Sequence, residues 1–398
     1  EIGVRLVGSE MCIRDRYMTP IFQSNSCHKY DTTDYYQIDP SFGTTEDLKE
    51  LVQKAHERGM KVVLDAVYNH TGREFFAFAD ILENGEKSKY RDWYFIDGFP
   101  LKSEWGEIPN FKCFGYYGGM PKLNLKNPEV EKYITDVACY WIKECDIDGW
   151  RLDVGDEISH FFWKNFRKAV KAVKKDMLII GEIWHYAGDF LEGDEWDTVM
   201  NYPFYLNLID LLADEKITVS QFVQNLGYLK GRLHKNCYPL MWNLIDSHDT
   251  ARFLHLCNDN KKKQHLAAAF QLLLPGMPMI YYGDEYAMPG ANDPDCRRGM
   301  YWDEEYQDKE MYEWYKRLIQ VRKSHACIVE GELAGSVTED EEGTVVLIRK
   351  NGEETIAMIF NCSSSAKKFN EYTQKYNLLT ENTFDGNVEG FDAAVIVL

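Results

Sequence analysis

Four carboxylates in the 398-residue sequence stand at the ends of short apolar runs: Asp65 in DAVYNH, Asp153 in GWRLD, Glu182 in GEIW and Asp249 in SHD. Hydrolysis of a glycosidic bond needs two carboxyl groups flanking the anomeric carbon, one as nucleophile and one as proton donor, with further groups to stabilise an oxocarbenium-like transition state. Any one of the four alone reads as a capped loop or a surface ion pair. Four together, each at the end of a successive strand, read as a catalytic set. Arg151 lies two residues before Asp153, so on a strand both side chains share a face, and the guanidinium can hold the carboxylate charged through charge-assisted hydrogen bonds. A barrel-interior ion pair is the plain alternative for that arginine.

The elements that must position these groups alternate between helical and strand patterns from about residue 40 onward, the signature of parallel strands joined by crossover helices. Thr44, three positions before Asp47, opens a capped helix with Leu48, Leu51, Val52 and Ala55 at helical spacing, and Gly59 closes it. Lys61 to His70 then reads as a buried strand, because Val62, Val63 and Leu64 form a continuous apolar run. The same unit recurs with a helical stripe from Tyr133 to Ile142 and a strand from Ile147 to Asp153, then with a helix from Phe161 to Val173 and a strand from Met177 to Glu182. Pro239 to Asp249 and Pro278 to Asp284 continue the series. Each of these strands would carry its ionisable residues at its carboxyl end, where a (β/α)₈ barrel places its active site. Residues 71 to about 128 break the rhythm, show no strong helical period and read as an irregular insertion walling a cleft. After about residue 325 the period changes to two, and Thr344 to Lys350, Asn351-Gly352 and Glu354 to Phe360 spell a hairpin, with a further strand from Ala393 to Leu398.

Composition narrows the partners. Lys and Arg number 45 against 64 Asp and Glu, a formal net charge of −19, and an acidic field repels nucleic acid and anionic membranes while leaving neutral ligands possible. Aromatic residues make up 14% of the chain, including 10 Trp and 25 Tyr, which suits stacking on sugar faces as well as filling a large core. Ten cysteines are scattered without a C-x-x-C pair, the usage of reduced packing thiols in a cytosolic protein. No apolar run approaches the roughly 20 residues of a membrane span.

DAVYNH, GWRLDVGDE, GEIW and IDSHD, in that order and spacing, resemble the four ordered motifs of the α-amylase superfamily of glycoside hydrolases. The resemblance runs from about Tyr17 to the end of the chain. It implies an α/β fold: a (β/α)₈ TIM barrel, here incomplete at its N-terminus, an inserted domain after the third strand, and a C-terminal antiparallel β-sandwich. It implies Asp153 as nucleophile, Glu182 as general acid and then base, and Asp249 as a third carboxylate gripping sugar hydroxyls. It matches His70 and His248 to the family histidines that bind hydroxyls of the sugar being cleaved, Tyr30 in HKYDTTDYY to the ring stacked under that sugar, and Asp293 with Arg297 in NDPDCRR to a hydroxyl-binding pair. Met120 to Asn124 (MPKLN) is similar to the motif of the neopullulanase, cyclomaltodextrinase and maltogenic amylase subgroup, in which Glu157 would serve the acceptor side. The substrates implied are short or cyclic maltodextrins and pullulan, cleaved at α-1,4 and some α-1,6 bonds with retention and some transglycosylation. The alternatives are an exo-acting α-glucosidase or oligo-1,6-glucosidase and, in a different class, a catalytically inactive sugar-binding or transporter-associated subunit. Asn69 matches a calcium ligand of many amylases, but the subgroup often lacks that site, so no cofactor and no metal is expected to be required.

The expected domains are a catalytic barrel over 1–325, with the insertion at 71–128, and a C-terminal β domain over 326–398. Residues 1–16 (EIGVRLVGSEMCIRDR) place Arg5, Glu10, Arg14, Asp15 and Arg16 immediately before TPIF, where the family has a buried second strand, and a covered strand should not hold five charges. That stretch is expected to be foreign to a truncated gene. The chain alone is then expected to fold poorly or lack activity, and the parent to dimerise through an N-terminal domain.

Overall fold

The computed structural model describes residues 15–102, 108–234 and 236–398. Arg5, Glu10 and Arg14, on which much of the expectation about the first sixteen residues rests, lie outside them. The chain forms two compact units, the first of residues 1–183 with 189–199 and the second of residues 184–188 with 200–398.

The first unit is built on a five-stranded parallel sheet. Its elements in chain order are β1 (Asp15–Met18), β2 (Phe22–Ser24), β3 (Thr32–Ile38), α1 (Thr45–Glu57), β4 (Lys61–Ala66), α2 (Phe76–Asn84), α3 (Pro128–Cys145), β5 (Gly149–Leu152), α4 (His160–Val173), β6 (Leu178–Gly181) and β7 (Thr198–Val199). The sheet runs β1-β4-β5-β6-β7, while β2 and β3 pair as a separate antiparallel hairpin. Thr44 makes the expected reciprocal cap with Asp47, and α1 buries Leu48, Val52 and Ala55. Asn127 caps α3 with Pro128 in its first turn, and its stripe of Val130, Ile134, Val137, Ala138, Trp141, Ile142 and Cys145 is buried. Asp15 and Arg16 belong to β1, where they pair with Lys61 and Val62 of β4 and are half-buried.

Two expectations need correction. The strand from Lys61 ends at Ala66 rather than His70, because Tyr68 N–H turns back to the Ala66 carbonyl and the chain leaves the sheet. Residues 71–128 also hold a helix, α2, which buries Ala77, Phe78 and Ile81. Its sequence, FAFADILEN, follows another phenylalanine and is apolar nearly all round at its start, so it presents no polar face to set a period. Beyond it the segment is irregular, tied by single bridges such as His70 with Lys122 and Tyr94 with Leu123.

The second unit contains α5 (Tyr202–Leu208), α6 (Val219–Arg232), β8 (Trp242–Leu244), α7 (Phe253–Leu256), α8 (Lys261–Leu273), β9 (Met277–Met279), α9 (Lys309–Ser324) and α10 (Ala326–Glu330). Strands β8 and β9 pair in parallel, with α7 and α8 in their crossover. The strands that follow are β10 (Glu332–Glu339), β11 (Thr344–Asn351), β12 (Glu354–Asn361), β13 (Lys367–Lys368), β14 (Tyr376–Asn377), β15 (Asn382–Thr383), β16 (Asn387–Val388) and β17 (Asp392–Val397). They form a six-stranded antiparallel sheet in the order β10-β11-β12-β17-β14-β15 and a two-stranded β13-β16 pair. The hairpin turns at Gly352, whose φ of 60° suits a residue without Cβ. On one face of the large sheet, Val346, Ala357, Ile359, Ala394 and Ile396 share a core with Tyr372, Phe384 and Val388. On the other, Phe360 stacks on Phe270 of α8 with ring centres 4.2 Å apart. No helix among the described residues is long and apolar enough to cross a membrane.

Candidate active site

In the first unit the parallel register sets Asp65 of β4 beside Arg151 of β5, and Leu152 of β5 beside Gly181 of β6. Asp65 and Arg151 therefore meet laterally, Asp153 follows Arg151 on the same face, and Glu182 leaves the end of β6. All four are buried: Arg151 is 0% exposed, Asp65 1%, and Asp153 and Glu182 6% each. Arg151 Nη1 lies 3.1 Å from both oxygens of Asp65 and donates to Asp153 Oδ1 at 2.9 Å, while Nη2 is ion-paired with Glu182 Oε2 at 2.9 Å. One guanidinium thus gathers three carboxylates, where the sequence pointed only to its hold on Asp153.

One positive charge against three carboxylates calls for further donors, and the site supplies them. The Tyr17 and Tyr30 hydroxyls donate to Asp65 Oδ2 at 2.5 and 3.0 Å, and the Val154 N–H donates to Glu182 Oε2 at 2.9 Å. Burial alone would lower the pKa of Arg151, but Asp65 and Glu182 beside it raise it well above its ordinary value. Val154 reaches its donor position with φ 46° and ψ 46°, a conformation that costs a β-branched residue about 1–3 kcal/mol and persists where surrounding contacts hold it. Trp196 packs close beside this turn: a Cβ on Gly181 would stand 2.2 Å from its ring and one on Gly155 2.8 Å, so both positions suit glycine against the indole.

Around this cluster, Tyr30 packs with Val67 and Met120, the methionine of the MPKLN segment. His70 is buried, stacks on Phe114 with ring centres 5.1 Å apart, and places Nε2 3.1 Å from the Tyr30 carbonyl. Nε2 must then carry the hydrogen, and burial pushes the imidazole pKa down to about 4, so the ring is neutral at pH 7. Glu157 is ion-paired with Lys122 at 2.6 Å and accepts from the Asn69 amide at 3.3 Å. Asn69 therefore addresses Glu157, and among the described residues no group of three or more His, Cys, Asp or Glu side chains is placed to hold a metal ion.

The second unit holds the remaining expected residues as a set of their own. The loop after β8 carries His248, whose Nε2 lies 3.0 Å from Asp249 Oδ2. Arg297 donates from Nε to the His248 carbonyl at 2.9 Å and is ion-paired with Asp293 at 2.8 Å and Asp249 at 3.5 Å. Trp184, two residues after Glu182, stacks on buried Tyr202 at 3.9 Å and leaves 40% of its surface exposed, a flat platform.

Sequence reasoning passed over three participants. Tyr17 stands before the TPIF run and gives no sign of its partner. Asp65 was noticed at a strand end but not as the second carboxylate of Arg151. Lys122 sits inside the MPKLN segment, and that motif was the signal that could have found it.

Residues 9–331 match the family model described as "Alpha amylase, catalytic domain". The chain is 47% identical over 358 residues to a cyclomaltodextrinase of Geobacillus thermopakistaniensis (strain MAS1), covering 90% of this chain and 60% of that protein. It is 43% identical to neopullulanase 2 of Thermoactinomyces vulgaris, covering 88% of this chain and 60% of the relative. A solved cyclomaltodextrinase structure superposes with a TM-score of 0.93 at 38% identity, covering 98% of this chain and 69% of that one. The chain thus spans about three fifths of the length of the curated relatives it matches. A match over residues 9–331, a range that includes Asp153 and Glu182, makes this chain a member of the α-amylase catalytic-domain family.

Proposed function

We propose that this chain is the catalytic part of a retaining glycoside hydrolase that cleaves α-1,4 and some α-1,6 glucosidic bonds of short or cyclic maltodextrins and pullulan, with transglycosylation as a side reaction. Asp153 is the nucleophile and Glu182 the acid and then base. The observation that carries this reading is the shared guanidinium: Asp153 and Glu182 contact two nitrogens of Arg151 at 2.9 Å each. Two carboxylates on one such fork suit the separation of about 5 to 5.5 Å at which one attacks and the other protonates, with no room for an inverting water.

In the first half-reaction an Asp153 oxygen bonds to the anomeric carbon as Glu182 gives its proton to the departing oxygen. In the second, Glu182 takes a proton from water as the water oxygen bonds to the anomeric carbon and the glycosyl ester to Asp153 breaks, which restores both groups. Tyr30 and His70 would meet the sugar being cleaved. Glu157 would serve the acceptor side, a role that rests on the subgroup resemblance. Asp249, with His248, Arg297 and Asp293, would grip hydroxyls, a role that rests on the family motif. Substrate, water, Asp153 and Glu182 supply every atom this chemistry needs, so no cofactor is proposed. In this reading the insertion would span 71–128 after the third barrel strand, and the C-terminal β domain would span 326–398. A cytoplasmic site is supported by nine described cysteines, all free thiols.

The test is a product profile on cyclodextrin, pullulan, starch and linear maltooligosaccharides, with proton NMR of the first-formed anomer. Maltose or panose released as the α anomer is expected. Glucose alone would move the assignment to an exo-acting α-glucosidase, initial β anomer would refute retention, and binding without turnover would make the chain a sugar-binding subunit.

A further inference from the structure

The second unit contains a buried charged cluster outside the proposed sugar contacts. Asp246 is 0% exposed, Arg252 0% and Asp284 1%. Arg252 Nη1 is ion-paired with Asp284 Oδ1 at 3.1 Å, and its guanidinium lies over the rings of Tyr281 and Tyr282, 4.5 and 5.1 Å from their centres. Asp246 Oδ1 accepts from the Phe253 N–H, so this carboxyl group closes the loop from Asp246 to Phe253 on itself. Arg252 N–H donates to the Gly290 carbonyl at 3.0 Å, which fixes the same loop to the segment before Arg297.

The other oxygens decide the protonation state. Oδ2 of Asp246 and Oδ2 of Asp284 are both buried, and neither meets a donor from any other described residue. The two carboxyl groups are neighbours beside the same guanidinium. One guanidinium cannot neutralise two buried charges, and each carboxyl group has an oxygen left without a donor, so a single proton between them settles both requirements. Among the described residues the ionisable groups beside Asp246 include no second cation: they are Arg252 and Asp284, the Tyr315 hydroxyl on α9, the Tyr205 hydroxyl on α5 and the Cys257 thiol after α7, while the Glu285 carboxyl lies beside Asp284. Burial pushes both aspartates above their ordinary pKa. Asp284 is the member of the pair that is ion-paired with Arg252, so it is the one that holds charge most readily and Asp246 the one that suits the proton.

The loop closed by this cluster carries His248 and Asp249. Ser247 and Thr250 complete it, with Ser247 N–H donating to Thr250 Oγ1 at 3.1 Å and Asp249 N–H to Ser247 Oγ at 3.1 Å. We propose that Asp246 and Asp284 hold one proton between their carboxyl groups, and that this acid pair, charge-balanced by Arg252, is the positioning device of the loop that presents His248 and Asp249. The importance of that loop rests on the sugar-binding role given to Asp249 above.

Asp246→Asn tests the pair directly, since its amide N–H replaces the O–H toward Asp284 while its oxygen still accepts from Phe253. Infrared difference spectra of parent minus D246N at pH 7 should show one protonated carboxyl band lost. The parent should lose stability as pH rises from about 4 toward the raised folded-state pKa, because the folded state holds a proton that the unfolded chain has released, and D246N should lack that part of the slope. D246N should keep kcat/KM within about twofold, whereas Asp246→Ala, which loses both hydrogen bonds, should lose about tenfold or more, mostly in KM. No infrared change with an unaltered slope would overturn the shared proton. An intact pair with D246A as active as the parent would overturn the positioning role. Neither readout of the pair needs turnover, so an inactive parent would count against the proposed hydrolase and leave this proposal standing.

Discussion

Two arginines, Arg151 in the first unit and Arg252 in the second, each sit fully buried among carboxyl groups, and the two clusters satisfy those groups by different routes. Around Arg151 the carboxyl groups of Asp65 and Glu182 meet further donors that belong to the fold: two tyrosine hydroxyls and the Val154 N–H. Around Arg252 two buried carboxyl oxygens have no such donor, and the proposed shared proton serves instead. Burial of the cation is the same in both. What differs is how many fixed N–H and O–H groups the neighbouring strands and turns aim at the carboxylates. A nucleophile and an acid/base must exchange charge with substrate, which suits a cluster held by fixed donors. A loop anchor needs no exposed charge, and an internal proton suits it.

The comparison can be broken at its catalytic end first. Asp153→Asn should lower turnover by about a thousandfold or more while leaving the fold and sugar binding intact, since it removes the nucleophile and keeps the shape. Turnover near the parent rate in a folded protein would sink the assignment. Glu182→Gln should cost about a thousandfold on substrates with poor leaving groups and about tenfold on activated aryl glycosides, which need less protonation. Equal losses on both would argue against the acid role.

Next come the two arginines themselves. Arg151→Met leaves three carboxylates around a vanished cation and should destabilise by about 3–5 kcal/mol at pH 7, read from the urea midpoint. Arg252→Met should cost less near pH 5, because Asp284 can take up a second proton there. Its cost should grow as pH rises, since the folded state must then hold protons that the unfolded chain has lost. Equal pH dependence of the two variants would erase the distinction between the clusters.

The smallest effect concerns His70, which lies beside the Arg151 cluster and works with the opposite sign. Its folded pKa is pushed down to about 4 by burial, so stability is complete above the unfolded value near 6.5 and falls as pH drops from there toward 4, by up to about 3 kcal/mol. Half-buried His265 is pushed down to about 4 by desolvation as well and adds a loss in the same window. His70→Gln should remove the His70 share of this acid-side loss and leave the alkaline-side slope of the acid pair untouched, as thermal melts from pH 4 to 9 would show.

Much of this architecture was legible in the residues. Val62, Val63 and Leu64 announce a covered strand, the Thr44 to Asp47 cap announces the helix before it, and the Asn351-Gly352 step with alternating neighbours announces the hairpin of β11 and β12. Patterns like these are local: burial on one face and turn chemistry at an end leave their period in the sequence. The strand-end positions of Asp65, Asp153 and Glu182 follow from them. Helix α2 escaped the same reading because a segment apolar nearly all round has no period to detect.

Side-chain partnerships across strands and loops were settled only by the tertiary structure. That Arg151 would reach Asp65 and Glu182 as well as Asp153 depends on the parallel register of β4, β5 and β6, which a single strand cannot express. The same holds for Tyr17 with Asp65, Lys122 with Glu157, and above all Asp246 with Asp284. In the sequence, IDSHD and YYGDE are two acidic motifs with ordinary aspartates. Folding removes water from both and turns two oxygens toward one hydrogen, and desolvation with close approach, which no residue type encodes alone, decides where the charge stays and where a proton replaces it.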